Sequence, residues 1–437
     1  MDDLDSISTR ISSACPPDTQ RILTAAWAHD VATVKRLLDA PGRARAQDPV
    51  TGETPLHAAI RACGPAGDDD ADAAAAATVR ELLQWGAIWN DLDDHGETPG
   101  CVAWRLGRRP LYDLCVAAGT RAEMLFGLLD GYEALSSGEE DEEGEAVDGA
   151  VAQGSGQEAP ELFGGGGGGG GGAEKPTAPE TVDDLQEPRF LPPTSDADGE
   201  VKSENYLRSK LTYSDGKLVD DEGNGVMMAW ETDIMRQSVD TLIPDKATGK
   251  RILNIGFGMG IIDSMLAETK PSVHQIIEAH ADVLDRASSS PHAKFGASWE
   301  ASGPEPGAYK MYRGKWQEVC PTLIAQGRVF DAIYFDTFGE GYGQLRNFFT
   351  EIVPALLDQH GIFGFFNGLG ADRRICHDVY TDVVEMHLGE AGLDVNWKVV
   401  PVDMSQLAQE GQGEWEGVKR RYWTLDEYRL PVCTFSA

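Results

Sequence analysis

Three glycines follow a short apolar run in "RILNIGFGMGIID", residues 251–263, at Gly256, Gly258 and Gly260. The β-branched run before them and the helical spacing after them predict a strand, a tight turn and a helix. Glycine permits positive φ and close approach of the backbone to another group, so this turn could lie beneath a ligand at the carboxyl edge of a sheet. An ordinary turn fits the same spacing, and the glycines alone do not decide between the two readings.

An acidic residue stands where an adenosine ligand would need one. Glu278 lies 22 residues after Gly256, at the end of the apolar run "HQIIE". An acid about 20 residues beyond the first glycine, at the tip of the neighbouring strand, can accept hydrogen bonds from two ribose hydroxyls. The candidate ligands are a nicotinamide cofactor and S-adenosylmethionine. Because the pyrophosphate-cradling glycine pattern is incomplete, we favour S-adenosylmethionine.

Two further carboxylates could face the same ligand. Asp336 ends the apolar run "YFDTF", and Glu231 precedes Met235 by four residues in "VMMAWETDIM", which has helical spacing. If that helix covers the ligand, Glu231 meets Asp336 across the pocket. Paired carboxylates suit a guanidinium, whose planar fork takes paired charge-assisted hydrogen bonds. The alternative, a helix cap at Asp336 and a surface acid at Glu231, stays open.

The segments around these residues predict an α/β domain. Asp-Gly between short apolar runs in "LRSKLTYSDGKLVDDEGN" indicates a hairpin, and "VMMAWETDIMRQSVDTL" has the spacing of a helix. After the glycine strand, further strands are predicted at "HQIIEA", "YKMYRG", "FDAIYFDTF" and "GIFGFFNG", each separated by a helix-compatible segment. Apolar strands that alternate with helices predict a doubly wound, mainly parallel sheet with its ligand at the carboxyl ends of the strands.

The first part of the chain carries a repeat. "TGETPLHAAI" and "HGETPGCVAW" align on Gly-Glu-Thr-Pro, and Gly86 and Gly119 are 33 residues apart, the ankyrin period. An insertion, most simply "GPAGDDDADAA", explains the longer spacing between the two motifs, and "ILTAAWAHDVATVKRLLDA" would form a third helix pair. Thr54 is predicted to cap a helix that begins near Pro55, with His57 as a hydrogen-bonding residue at the helix start. Such all-α repeats bind proteins, or here could shield or anchor the second domain.

A low-complexity stretch divides the chain. Between Arg121 and Lys175 there is no Lys or Arg, and nine consecutive glycines run from Gly164 to Gly172. Such composition does not form a core and predicts a flexible tether. We therefore expect an ankyrin-repeat domain at 1–135, a disordered acidic and polyglycine linker at 136–193 and a methyltransferase-type domain at 194–437, with the two folded parts separate.

Charge and cysteine content limit the partners. The net charge is −35, which disfavours nucleic-acid phosphates and favours a basic protein partner. Seven cysteines without a CxxC pair fit reduced thiols in the cytoplasm or nucleus and no metal site. The N-terminus "MDDLDSISTR" lacks signal-peptide features, and no apolar stretch reaches membrane-spanning length. We expect a monomer that does not bind a membrane.

Several motifs in order resemble one known family. "VMMAWET", "LNIGFGMG", "HQIIEA", "GKWQEVCPTL", "FDAIYFDTF" and "FFNG" together resemble guanidinoacetate N-methyltransferase, and ankyrin repeats ahead of such a domain resemble the fungal protein arginine N5-methyltransferases, also called type IV. The resemblance spans the folded chain. It implies methyl transfer from S-adenosylmethionine to the δ nitrogen of arginine in a protein, specifically a large-subunit ribosomal protein.

The resemblance also implies roles for individual residues. Glu231 and Asp336 match the guanidino-binding acids, and Asn367 in "FFNG" matches an asparagine of the related motif. Residues implied to contact the cofactor are Tyr206, Met227, Met235, Gly256, Phe257, Gly258, Met259, Gly260, Ile261, Glu278, Ala279, His280, Lys315, Trp316 and Asp336. One departure is Ala229, where the guanidinoacetate enzymes commonly carry arginine, which leaves room for a different substrate.

Two other functions compete with this interpretation. One is a small-molecule guanidino methyltransferase whose ankyrin part only stabilises it. The other is an ankyrin scaffold with an inactive methyltransferase fold, against which the intact set of Gly, Glu and Asp residues argues. For an active enzyme, carboxylates on the other guanidinium nitrogens can hold the charge there while one accepts the proton. We expect Asp336 to accept the proton and Glu231 to act as the clamp.

Overall fold

The computed structural model describes residues 5–65, 69–136, 203–289, 294–419 and 421–436. The predicted linker at 136–193 lies outside these residues except for Ser136, so its boundaries and character stay a prediction. Part of the predicted insertion "GPAGDDDADAA" is likewise outside them. No helix in the described ranges is long and apolar enough to cross a membrane.

The N-terminal region is a series of helix pairs. Thr54 and Thr98 each cap a helix whose first residue is proline, and their side chains accept hydrogen bonds from the backbone N–H groups of His57 and Cys101. The predicted ankyrin-type starts and the third pair are therefore confirmed. The helices are α1 (Ile7–Arg10), α2 (Pro17–Trp27), α3 (Val31–Leu38), α4 (Pro55–Arg61), α5 (Asp69–Gln84), α6 (Pro99–Arg105) and α7 (Arg109–Ser136).

Buried polar groups join successive repeats. The His57 ring lies between the Thr54 hydroxyl, 2.8 Å from Nδ1, and the Glu97 carbonyl oxygen, 3.0 Å from Nε2. The predicted hydrogen-bonding role of His57 is confirmed, and burial lowers its pKa to about 3, so the ring stays neutral. Beside it the buried guanidinium of Arg61 contacts the carboxylates of Glu53 and Asp93. These contacts fix the loops that connect the helix pairs.

A small antiparallel sheet precedes the main sheet. Strands β1 (Thr212–Ser214) and β2 (Lys217–Val219) are joined by Asp215 and Gly216, both at positive φ, which confirms the predicted hairpin. The prediction of one helix from Val226 onwards is wrong. β3 (Gly225–Met228) instead pairs with β2, because the hairpin offers that segment a free sheet edge, and a short 3₁₀ turn, Ala229–Glu231, leads into the helix.

The main sheet has seven strands, and its predicted parallel character is confirmed. The order is β6-β5-β4-β7-β8-β10-β9, with the first five parallel and β10 antiparallel to both of its neighbours. The five predicted strands are present, whereas the last two were not predicted. The strands are β4 (Arg251–Ile255), β5 (Val273–Glu278), β6 (Tyr309–Arg313), β7 (Phe330–Phe335), β8 (Leu357–Phe365), β9 (Leu393–Pro401) and β10 (Glu427–Phe435).

Helices connect these strands and cover the sheet, as expected for a doubly wound fold. The chain order changes direction at β4, whose neighbours are β5 on one side and β7 on the other, so the carboxyl ends of these three strands define the expected ligand edge. The helices are α8 (Ser203–Arg208), α9 (Thr232–Leu242), α10 (Ile261–Glu268), α11 (Ala281–Ser289), α12 (Ala297–Ala301), α13 (Trp316–Ala325), α14 (Tyr342–Asn347), α15 (Val353–Leu356) and α16 (Arg374–Glu390).

The ankyrin repeats and the sheet domain share one hydrophobic core. Ile375 and Val379 of α16 are fully buried in the same cluster as Trp89, Val102 and Leu111 of the repeats. Residues 1–125 and 193–437 accordingly form one compact unit. The expectation of two separate folded parts is wrong, because the linker composition says nothing about the apolar face that α16 presents to the repeats.

Polar contacts reinforce this shared core. The Tyr112 hydroxyl donates a hydrogen bond to the Asp378 carboxylate, and the Tyr380 hydroxyl donates to Glu123 Oε2 at 3.2 Å. A Cβ built on Gly100 in α6 would lie 1.9 Å from Ile375 Cδ1, so the Ile375 side chain packs directly against this glycine. The repeats are therefore packed on α16 by shape as well as by apolar area.

Ile375→Ala is expected to lower the free energy of unfolding by about 2–5 kcal/mol, because it leaves a cavity in the shared core. Urea denaturation followed by both circular dichroism and tryptophan fluorescence should give one coincident transition. Met386→Ala, at an exposed position of the same helix, is the control and should change stability by about 0.5 kcal/mol or less. Two separate transitions in the wild-type protein would contradict a shared core.

Candidate active site

The glycine loop after β4 adopts the conformation that its sequence predicts. Gly256, Gly258 and Gly260 have φ of 90°, 54° and 70°, a region that side chains disfavour. A Cβ on Gly256 would lie 1.8 Å from the carbonyl oxygen of Asp336. The loop after β4 and the loop after β7 therefore cross at a distance that only glycine permits, which places Asp336 beside the glycine loop.

A cleft that encloses about 620 Å³, including open solvent at its mouth, lies over this crossing, and we call it the glycine cleft. Nine of the sequence-predicted cofactor residues line it: Tyr206, Met227, Gly256, Gly258, Glu278, Ala279, Lys315, Trp316 and Asp336. Side chains from three strand ends, from α8 and from the start of α13 thus meet at one edge of the sheet.

The remaining predicted cofactor residues do not line the glycine cleft. Phe257, Met259 and Gly260 face a different depression on the other side of the loop. Ile261 is the first residue of α10, and His280 is buried beneath Tyr206, with its Nε2 3.0 Å from the Tyr206 carbonyl oxygen. The other such residue is Met235, which is fully buried in the core. A short motif predicts which residues lie near the ligand, but it does not predict which side chains face the cleft.

Glu278 stands at the tip of β5, where an acid was predicted. Its carboxylate accepts hydrogen bonds from the backbone N–H groups of Phe257 at 2.8 Å and His280 at 2.6 Å. Burial raises the pKa of Glu278. The carboxylate thus connects the glycine loop to the residues that follow β5. It also lines the glycine cleft, where its remaining lone pairs could accept hydrogen bonds from hydroxyl groups.

A second cleft, of about 1,230 Å³, adjoins the first, and we call it the acid cleft. Glu231 and Asp336 both line it, so the structure brings together the two carboxylates that the sequence singled out. Val226, Asp336 and Phe338 are among the residues that line both clefts. A group bound in the acid cleft would therefore meet a ligand of the glycine cleft at Asp336.

The two carboxylates lack a cationic partner within the described residues. Glu231 is buried and accepts hydrogen bonds from Met228 N–H, at 3.3 Å, and from the Tyr422 hydroxyl, both at Oε1. Asp336 Oδ2 is buried and has no hydrogen-bond partner in the part of the chain that the structure describes. Burial, and then the charge of Asp336, raises the pKa of Glu231 to about 8, and burial raises the pKa of Asp336 to about 7. A cation in the acid cleft would favour the ionised form of both.

Asn367 lies behind the acid cleft and not on its wall. Its side-chain amide donates a 3.3 Å hydrogen bond to the Arg429 carbonyl oxygen, and its backbone N–H donates to the Tyr428 hydroxyl at 2.8 Å. Its Oδ1 is buried without a partner in the described part of the chain. Asn367 does not line the acid cleft, whereas its neighbours Phe366 and Gly368 do, and its contact with a substrate stays a prediction.

Two residues of the site were missed by the sequence analysis. Tyr422, which lines the acid cleft, comes from the connection between two strands that were not predicted, so its sequence gave no signal. Glu340 lines both clefts and accepts hydrogen bonds from Trp316 Nε1 at 3.0 Å and from the Thr337 hydroxyl at 2.7 Å. Its position four residues after Asp336 could have indicated it, since both lie in the loop after β7.

The chain is similar to several known proteins along its sequence. Residues 197–395 match the family model described as guanidinoacetate N-methyltransferase. The chain is 64% identical to "Protein arginine N-methyltransferase 2" of Neurospora crassa over all of both chains, and 56% identical to the protein of that name in Gibberella zeae over 97% of this chain and 93% of the relative. Among solved structures, the O-methyltransferase TomG of Streptomyces achromogenes in complex with SAM is 16% identical, with a TM-score of 0.32 over 48% of this chain and 82% of that one.

Proposed function

This chain belongs to the protein arginine N-methyltransferase 2 family, and from that premise we propose that it methylates the δ nitrogen of an arginine in a protein substrate. Membership makes it a transferase that depends on S-adenosylmethionine. The choice of nitrogen and of substrate is the part that we propose. The observation that carries the proposal is the pair of carboxylates, Glu231 and Asp336, that face one cleft without a cation among the described residues.

The glycine cleft fits S-adenosylmethionine. A Cβ on Gly256 would collide with the Asp336 carbonyl oxygen, and one on Gly258 would collide with Met227. Glu278 at the strand tip is in place to accept hydrogen bonds from ribose hydroxyls. We propose that Trp316 and Lys315 border the adenine and that Tyr206 and Met227 close over the ligand. When bound, S-adenosylmethionine supplies an electrophilic methyl group. Phe257, Met259, Gly260, Ile261, His280 and Met235 would then shape and support the loop without facing the cleft.

The acid cleft fits a guanidinium. Two carboxylates can take paired hydrogen bonds from its planar fork, and neutral groups cannot compensate its charge as well. Bound in this way, the cation would also lower the free energy of ionising two groups whose pKa values burial has raised. Glu231 acts as the clamp, and Asp336, which lines both clefts, holds the charge beside the reacting nitrogen and accepts its proton.

The same arrangement supports the choice of the δ nitrogen. A protonated guanidinium has no free lone pair, so carboxylates that hold the charge on the terminal nitrogens leave the remaining nitrogen free to rotate lone-pair density towards the methyl group. In arginine the δ nitrogen lies between the stem and the fork. A site that clasps both terminal nitrogens would therefore present the δ nitrogen, and a methyl group found on a terminal nitrogen would refute this proposal.

The substrate is proposed to be a basic protein, and more narrowly a large-subunit ribosomal protein. The net charge of −35 favours a basic partner and disfavours direct contact with nucleic acid. The ankyrin repeats, which share a core with the catalytic domain, offer additional surface for such a partner. Such a substrate is made in the cytoplasm and assembled in the nucleus. We therefore place the enzyme in both compartments. A small guanidino compound is the second candidate, supported by the match to the guanidinoacetate N-methyltransferase model.

Labelling decides between these substrates. The purified protein and labelled S-adenosylmethionine are incubated with a fungal lysate from cells that lack the enzyme, and labelled bands are hydrolysed to identify the methylated amino acid. We expect δ-N-methylarginine in one basic protein band, and none with Asp336→Asn. Label that remains only in small metabolites would support the guanidinoacetate-like alternative.

Catalytic efficiency should rise with pH. Because the ionised forms of Glu231 and Asp336 bind the cationic substrate, protonation below pKa values of about 8 and about 7 removes the attraction. The slope of log kcat/KM against pH should approach about 2 below pH 7 and fall to zero above pH 8. In Glu231→Gln the slope should not exceed about 1.

This profile is measured with peptide substrate well below KM and saturating S-adenosylmethionine. Asp240→Asn, at an exposed position on α9, the helix that follows Glu231, is the control and should keep the wild-type profile. A slope near zero across the range in the wild-type enzyme would show that neither acid has to ionise.

A further inference from the structure

The C-terminal connection between β9 and β10, described at residues 402–419 and 421–426, contributes Tyr422 to the wall of the acid cleft. Lys419 N–H donates a 2.7 Å hydrogen bond to the Gly223 carbonyl oxygen, which attaches this connection to the turn before β3. Trp415 and Trp423 are fully buried in a cluster that includes Met228 of β3. The connection is thus packed against the segment that carries Glu231, although about 190 residues separate them in sequence.

Tyr422 is held between these anchors. Its ring lies 4.9 Å from the Trp415 ring in an edge-on arrangement and 6.1 Å from the Trp230 ring. A Cβ on Gly225 would lie 3.2 Å from Tyr422 Cε1, so β3 also packs against the ring. These contacts hold the ring on three sides. The hydroxyl of Tyr422 donates a hydrogen bond to Glu231.

This hydrogen bond leaves the two oxygens of Glu231 in different surroundings. Oε1 accepts from both the Tyr422 hydroxyl and Met228 N–H, whereas neither of these bonds reaches Oε2. Both donors hold Oε1 and so restrict the orientation of the carboxylate. A buried anion without such donors would be strongly disfavoured.

We infer that the Tyr422 hydroxyl favours the ionised form of the Glu231 carboxylate and orients it in the acid cleft, so that Tyr422 is a positioning residue of the methyl-transfer site. The inference rests on the proposed function for its kinetic consequence, but not for its effect on Glu231 itself. Tyr422 acts through Glu231 and need not touch the substrate.

Asp336 acts on Glu231 in the opposite direction. Asp336 after β7 raises the pKa of Glu231 by its charge, and the hydroxyls of Tyr334 on β7 and Tyr428 on β10 lie close enough to interact with Glu231 electrostatically. Tyr428 donates to the Phe365 carbonyl oxygen, so its hydrogen is not available to the acid. Tyr422 and Met228 are the donors that favour the ionised carboxylate.

Tyr422→Phe removes the hydroxyl and keeps the packed ring. The pKa of Glu231, followed by difference infrared spectroscopy with Glu231→Gln to identify the band, should rise by about one to two units. The rise of kcat/KM with pH should move to higher pH by the same amount, so that activity falls about tenfold or more at pH 7 and recovers at higher pH. The affinity for S-adenosylmethionine should not change.

Matched variants separate this role from a structural one. Tyr309→Phe, which removes a hydroxyl bonded to the Pro271 carbonyl oxygen at 2.9 Å, should leave the profile unchanged. On a Glu231→Gln background, Tyr422→Phe should add little to the loss of activity. If Tyr422→Phe does not fold, fluorotyrosine incorporated at position 422 keeps the hydroxyl as a stronger donor and should lower the pKa of Glu231.

The outcomes are distinguishable. An unchanged infrared titration of Glu231 in Tyr422→Phe overturns the inference, whatever the substrate proves to be. A wild-type enzyme that methylates no arginine, with the infrared shift still present, overturns the proposed function alone.

Discussion

Asp336→Asn is expected to lower kcat/KM for an arginine substrate by about 10³-fold, because it removes both a charge beside the reacting nitrogen and the group that accepts the proton. Asparagine has nearly the same shape, so the loss would reflect chemistry and not packing. Binding of S-adenosylmethionine, measured by calorimetry, should stay within about tenfold of wild type, since Glu278 and the glycine loop remain in place.

A control for this variant lies on the same strand. Asp331 stands at the opposite end of β7 and pairs with Arg251 at 2.8 Å. Asp331→Asn should cost stability but leave the activity of the folded enzyme unchanged. If Asp336→Asn kept more than about a tenth of wild-type activity, the proposed general base would have to be another group. In a double-mutant cycle with Glu231→Gln, the effects should not add, because both acids act on one cation.

Gly256→Ala is expected to abolish both cofactor binding and methyl transfer. The new Cβ would lie 1.8 Å from the Asp336 carbonyl oxygen, and because that atom is backbone, one of the two loops would have to move. Movement of either would disturb the glycine cleft and the position of Asp336 together. Residue 256 also has φ near 90°, a backbone conformation that disfavours alanine by about 1–2 kcal/mol.

Gly249→Ala separates the effect of backbone strain at positive φ from the effect of a collision between the new Cβ and its neighbours. Gly249 precedes the same strand β4, has φ of 78° and has open space where a Cβ would lie. It should lose about 1–2 kcal/mol of stability and still bind S-adenosylmethionine. Equal binding by Gly256→Ala and Gly249→Ala in calorimetry would mean that the loop crossing is not needed for the site.

The parts of the fold that could be predicted are those with local signals. The glycine loop, the acid at the tip of β5 and the apolar strands β4 to β8 each depend on neighbours in sequence, so spacing and residue type predicted them. The pair Glu231 and Asp336 was also predicted, with the help of the family resemblance. The helix start at Val226 was wrong because the pairing partner of that segment, β2, competes with its helical spacing.

The parts that could not be predicted depend on distant contacts. β9 and β10 have mixed burial patterns, and Tyr422 reaches Glu231 only because their connection folds back over β3. Met235 was assigned to the cofactor from the family resemblance, whereas α9 turns it into the core. The packing of the repeats against α16 could not be predicted from the sequence of α16, because its apolar residues also fit the pattern of an ordinary helix that covers a sheet.

The shared core has a consequence for how the chain is made. The repeats leave the ribosome first, but α16, which covers Val102 and Leu111, follows about 260 residues later. At about 5–20 residues per second, that apolar face waits roughly 15–50 s for its partner. During each round of synthesis the nascent repeats therefore present the surface that a chaperone recognises, and a ribosome that stalls before α16 would release a chain prone to aggregate.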